Sequence, residues 1–149
     1  MAENEYVAVR LARDALERAG WFVLEEVLVD LTWRLVHGSP RLTNEYLFED
    51  RDPRSLARIA QGADTEVLVF GHTHKPWIRE YGGVLFVNCG SVGKPKDGDP
   101  RSAFALLSAN GNGVDVEIPR VDYPMTGVAE EMKTAGLPPE LAEKLVTAV

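Results

Sequence analysis

Val67-Leu68-Val69-Phe70-Gly71-His72-Thr73-His74 is the stretch around which this chain is organised. Four apolar residues run without a break into a glycine and two histidines. A short continuous apolar run is the pattern of a strand buried on both faces of a parallel sheet. The chain holds three histidines, so two of them fall in this one tetrapeptide. The third, His37, has a similar setting in Leu35-Val36-His37-Gly38-Ser39-Pro40. Both are strand-like runs that stop at a histidine beside a glycine.

The residues between these two runs say how they meet. Leu31, Trp33 and Leu35 alternate with Thr32, Arg34 and Val36, which predicts a strand over 31–37. Gly38 and Pro40 force a loop after it, and polar and aromatic residues continue the loop over 41–51. Asp52-Pro53 is a helix start, with Asp as cap and Pro at the first helical position. Leu56, Ile59 and Ala60 give that helix its buried face, and Gly62 ends it. The strand over 66–70 follows. Strand, helix and strand of this kind form two parallel strands with a right-handed crossover. Ligands of such units bind beyond the carboxyl ends of the strands. His37 and His72 both sit just past those ends, so they are expected near one another.

Neutral imidazole is a common ligand for zinc, iron, nickel and manganese. A lone histidine is more often a surface or satisfied core residue, and the pattern here is what raises the metal reading. In extended backbone, residues i and i+2 face the same way, so His72 and His74 are expected to point at one place. Gly71 removes a side chain where the backbone must come close. With His37 added from a neighbouring strand end, metal binding by His37, His72 and His74 is the leading reading.

Composition narrows the field. The 149 residues suit one domain, 45% are hydrophobic, and no run approaches a membrane span. Charges stand at the N-terminus where a signal peptide needs an apolar stretch, so a cytoplasmic location is expected. The single cysteine, Cys89, excludes an internal disulfide and any multi-cysteine zinc site. A net charge of −7 argues against a nucleic-acid partner, which needs a basic face. It leaves small phosphate substrates open, because bound metal reverses the local field.

Elsewhere, Ala8, Leu11, Ala12, Ala15, Leu16 and Ala19 recur at helical spacing, which predicts a helix over 4–19 that ends at Gly20. Core packing is the simpler use for it, and partner binding the rarer one. Residues 23–29 favour a strand or a prolongation of that helix. A hairpin is expected from 76–80 and 84–87 around Gly82-Gly83. Asn88-Cys89-Gly90-Ser91 is a tight turn, and 102–108 should pair with 114–119. Two short helices close the chain over 125–134 and 138–148. The layout is one domain over 1–149: a helix in 1–20, the metal-motif unit in 21–75, hairpins in 76–119 and helices in 120–149.

These residues carry a resemblance. Val69-Phe70-Gly71-His72-Thr73-His74-Lys75-Pro76 resembles the last signature of the calcineurin-like metallophosphoesterases, and His37-Gly38-Ser39-Pro40 the signature before it. Asn88-Cys89-Gly90-Ser91-Val92-Gly93 resembles the Asn-Pro-Gly-Ser turn of the small bacterial phosphodiesterase branch, with Cys89 in place of proline. That exchange is expected to loosen the turn. The resemblance implies a mixed α/β fold, part of a two-sheet αββα sandwich. It implies two divalent ions (Mn, Fe, Zn or Ni) about 3.5–4 Å apart that share a carboxylate and a hydroxide attacking phosphorus in line. It implies that His37 and His72 serve one metal and His74 the other, with no catalytic residue beyond the metal ligands. Thr73 is not a ligand in the pattern. Turn formation is the favoured role for Asn88 and Ser91. Tyr46, Lys75 and Trp77 are open between lining a cleft and packing or solvation, so the substrate-binding residues are unknown.

The family site also needs Asp-x-His and Gly-Asn-His-Asp segments, and neither occurs in this sequence. It needs a Gly-Asp ahead of both histidine signatures, whereas the pair present here, Gly98-Asp99, follows them. The chain therefore reads as the C-terminal half of such a domain, without the N-terminal strands. Three imidazoles can hold a zinc-like ion, but they cannot supply the anionic bridge between two divalent cations. Bare sheet edges and apolar faces should drive self-association or pairing with a complementing N-terminal fragment. The expected function is metal-dependent hydrolysis of a small phosphate mono- or diester, with activity of this chain alone in doubt. The rivals are a non-catalytic interaction scaffold, as in a retromer subunit of the same family, and an inactive truncated fragment.

Overall fold

The computed structural model describes residues 31–110 and 113–149. The helix expected over 4–19 and the segment 23–29 lie outside the described residues.

A mixed parallel sheet carries the fold. Its strands are β1 (Trp33–Leu35), β2 (Val67–Phe70), β3 (Trp77–Tyr81) and β4 (Val84–Asn88), and the order across the sheet is β1-β2-β4-β3. β1 and β2 are parallel with Leu35 opposite Val69, and the helix α1 (Pro53–Gln61) forms the crossover between them. β4 lies parallel to β2 on its other side, and β3 closes the sheet as the antiparallel partner of β4. The hairpin thus does two jobs: β4 also extends the parallel ladder, a pairing that local sequence does not encode.

Local chemistry explains the ends of α1. The Asp52 side chain accepts a hydrogen bond from the Arg54 amide, Pro53 opens the helix, and the Gly62 amide caps the last turn. Leu56, Ile59 and Ala60 form its buried stripe. They pack with Leu47, Leu68, Phe70, Trp77, Val84 and Phe86 in the main core. In β2 the adjacent Val67 and Leu68 are both buried. Since neighbours on a strand point to opposite faces, the strand is covered on both.

The region after β4 departs from expectation. The strand predicted over 102–108 is broken at Phe104-Ala105 into β5 (Ser102–Ala103) and β6 (Leu106–Asn110). β6 pairs with β7 (Gly113–Glu117), while β5 pairs with β8 (Arg120–Val121). The apolar run 103–107 carried no residue that marks this break. Two helices follow, α2 (Met125–Thr134) and α3 (Pro139–Thr147), and pack through Ala129, Ala142 and Leu145. Helices and small sheets of this kind form part of an αββα sandwich. Among the described residues no helix is long and apolar enough to cross a membrane.

Candidate metal centre

Backbone hydrogen bonds continue past the ends of β1 and β2. The Val36 amide donates to Val69 O at 3.0 Å, and the Gly71 amide donates to His37 O at 3.0 Å. This pins the two strand ends side by side and brings the imidazoles together. His37 Nε2 lies 2.8 Å from His72 Nδ1, with the ring centroids 4.7 Å apart.

His74 does not join them through extended backbone. His72 has φ +63° and His74 φ +60°, both in the left-handed region. Each such residue costs roughly 1–2 kcal/mol when it is not glycine. The Thr73 amide donates to Gly71 O at 2.7 Å, closing a three-residue turn around His72 whose positive φ marks the rarer, strained hand of γ-turn. The expectation that His72 and His74 face one way as alternate residues of a strand is therefore corrected. The chain coils between them, and His74 turns instead to Lys94, whose carbonyl lies 2.7 Å from Nδ1.

That contact fixes a tautomer. A carbonyl only accepts, so His74 Nδ1 carries the proton and Nε2 keeps the free lone pair. Ligating histidines commonly donate their second nitrogen to a carbonyl in this way. The His37–His72 pair is one hydrogen bond, with one nitrogen donating. Two imidazole nitrogens on one tetrahedral ion, with bonds of about 2.05 Å, stand about 3.3 Å apart. The pair is thus some half an ångström too close for a shared ion, and a small rotation of either ring opens it. With that rotation His37 and His72 could hold one ion between them, and His74 could offer Nε2 separately. Among the described residues no group of three His, Cys, Asp or Glu side chains comes together. The carboxylate half of a two-metal site is not formed by them.

Around the histidines the sequence signals were weaker. Tyr46 lies against His72, ring centroids 4.1 Å apart, and stacks on Phe48 at 5.6 Å. The loop that carries it is anchored. Arg51 donates to Tyr46 O at 3.0 Å, and Trp77 Nε1 donates to Leu47 O at 3.0 Å. Trp77 is buried in the core, so of the three cleft candidates it is a packing residue; Lys75 is exposed. Glu45 sits at the centre of the loop. Hydrogen bonds from Arg41, then Ser39 and Arg51, outweigh the opposing effect of burial and hold its carboxyl at about 2. Burial pushes the Cys89 thiol up. The Cys89 amide donates to Phe70 O at 2.9 Å, a bond that proline cannot make, so cysteine ties this turn to β2 rather than loosening it.

The fold and the two histidine signatures define a phosphoesterase-type domain. Residues 12–112 match the family described as the calcineurin-like phosphoesterase superfamily domain, and the chain belongs to that family. A probable metallophosphoesterase of Methanothermobacter thermautotrophicus is 31% identical over 91 residues, 61% of this chain and 48% of that protein. Phosphodiesterase YfcE of Escherichia coli K12 is 41% identical over 61 residues, 41% of this chain and 30% of YfcE. A metallophosphoesterase structure from Sphaerobacter thermophilus superposes with TM-score 0.67 at 29% identity, covering 82% of this chain and 57% of that one. The chain spans about half the length, or less, of the curated relatives it matches.

Proposed function

We propose that this chain supplies the histidine part of a two-metal phosphoesterase site that hydrolyses phosphate mono- or diesters. The observation that carries the reading is the convergence of His37 Nε2 and His72 Nδ1 at 2.8 Å past two parallel strand ends, in a chain of this family. His37 and His72 would hold one divalent ion and His74, through Nε2, the other. Divalent ions held there supply Lewis-acid activation of a phosphoryl oxygen.

The chain's own residues do the rest. Tyr46 lies against the His72 ring and backs it on one side. The Lys94 carbonyl keeps the His74 proton on Nδ1. Since no carboxylate of the described residues joins the histidines, the anionic bridge has to come from a partner chain or from residues other than those described.

The test is to load the full chain with Mn²⁺ and offer a nitrophenyl phosphate diester. We expect Mn²⁺ binding that is lost in His37→Ala and His72→Ala, with little turnover from this chain by itself. Binding undiminished in both variants would overturn the metal assignment. Brisk turnover abolished by His72→Ala would show that the carboxylates are dispensable.

A further inference from the structure

One segment, the end of β4 with the loop after it, reaches the turns at both strained histidines. Asn88 is fully buried at the end of β4. Its Nδ2 donates to Gly71 O at 3.2 Å and to Thr73 Oγ1 at 2.8 Å, so it grips the turn on either side of His72. Its Oδ1 accepts from the Gly90 amide at 3.0 Å. The amide orientation is forced, since Gly71 O can only accept and the Gly90 amide can only donate. Thr73, itself buried, has Oγ1 accept from the Lys75 amide at 3.1 Å.

The same loop then turns to His74. Ser91 Oγ accepts from the Lys94 amide at 3.0 Å, closing a turn whose Lys94 carbonyl receives His74 Nδ1–H at 2.7 Å. Ser91 O accepts from the Ala103 amide at 2.9 Å, which fastens the loop to β5. The Lys96 amide donates to His74 O at 3.1 Å, holding the histidine backbone from the same side.

We infer that Asn88 and Ser91 are positioning residues for the histidine centre: Asn88 holds the His72 turn, and Ser91, through Lys94, sets the tautomer and direction of the His74 ring. Turn formation alone does not account for this arrangement. A residue that merely shaped its own turn would have no reason to hydrogen-bond Gly71 and Thr73, 17 and 15 residues away. Two left-handed histidines would relax unless neighbouring groups over-determined them. The buried Asn88–Thr73 pair and the Lys94 and Lys96 contacts are the groups that do so. The inference rests on the reading of His72 and His74 as metal ligands, but its first readout needs no metal.

The experiment records ¹H–¹⁵N spectra of the histidine rings of the metal-free full chain, then titrates it with Zn²⁺. In the parent chain His74 should show the Nδ1-protonated form and a ring-to-ring contact between His37 and His72. Ser91→Ala should shift His74 toward Nε2 protonation and leave the His37–His72 contact in place. Asn88→Asp keeps the acceptor for Gly90 but cannot donate to Gly71, and it should lose the His37–His72 contact. Zn²⁺ affinity should fall roughly ten-fold or more in each, the loss seen when partners behind metal ligands are removed. Ile59→Val, a core change in α1, should lower the melting temperature without moving either ring signal. Unchanged ring spectra in Ser91→Ala, or equal shifts in Ile59→Val, would overturn the positioning role. If Asn88→Asp does not fold, Ser91→Ala decides. A parent chain that binds no Zn²⁺ sinks the metal reading, and the ring spectra still decide the positioning role.

Discussion

His37 and His72 are 35 residues apart in sequence, yet their ring nitrogens Nε2 and Nδ1 are 2.8 Å apart in space. The parallel pairing of β1 with β2 sets the two strand ends side by side, and the turn at His72 places its ring against His37. The contact is exposed, so it adds little to stability, and metal is expected to change that balance. Excess Zn²⁺ should raise the melting temperature, by the equivalent of about 2.7 kcal/mol at a hundred times the dissociation constant. His37→Ala and His72→Ala should each abolish most of the rise while leaving the metal-free melt nearly unchanged. Differential scanning of the three proteins with and without Zn²⁺ checks this.

Gly38 is tied to the site by space rather than by conformation. A Cβ there would stand 2.4 Å from Thr43 O and 2.8 Å from Glu45 O, both backbone atoms. Gly38→Ala must push the 39–47 loop outward, at a cost of about 2 kcal/mol or more. Urea denaturation should show the loss, and the Tyr46–His72 ring contact should vanish from the spectra. An alanine variant of parental stability would show that the loop packs otherwise.

Trp77 reaches through the core to hold Leu47, with Nε1 donating to its carbonyl at 3.0 Å. Trp77→Phe keeps most of the apolar contact and strands that carbonyl. The expected penalty is about 2 kcal/mol, from an unsatisfied buried acceptor and a slightly smaller ring. Amide exchange should quicken across 41–51 and stay slow in β2 and β4.

Glu45 links the loop to pH. Its carboxyl is held at about 2 against an ordinary value of 4.5, first by Arg41 and then by Ser39 and Arg51. A depressed folded-state value means that the stabilisation is complete above the unfolded value. It is lost as pH falls from about 4.5 toward 2. Stability of the parent chain should decline across that window, and Glu45→Gln should be less stable at neutral pH with a flatter decline. A parallel decline in both proteins would show that other carboxylates carry the effect.

The site was legible where chemistry and punctuation coincide. Histidines next to glycines at the ends of apolar runs pointed to a centre, and Asp52-Pro53 with Gly62 marked both ends of α1 because capping is a local interaction. The left-handed turns at His72 and His74 were not legible. Positive φ is uncommon outside glycine, and the groups that hydrogen-bond around the two turns, Asn88 and Lys94, lie later in the chain at the end of β4 and in the loop after it. Asn88 read as a turn former for the same reason: its bond to Gly90 is local, whereas those to Gly71 and Thr73 are not.

By itself, then, the sequence determined the residue types available to the centre, three imidazoles with no Asp-x-His or Asn-His-Asp beside them. It also determined the alternation of strand and helix that sets His37 and His72 past neighbouring strand ends, since periodicity, caps and breakers act over a few residues. Only the tertiary structure decided which nitrogen of His74 is available. It also decided that β4 lies beside β2, and that the end of β4 and the loop after it hydrogen-bond around the two histidines of positive φ. Those outcomes depend on hydrogen bonds between segments 15 to 35 residues apart. Such bonds exist only after the sheet has formed.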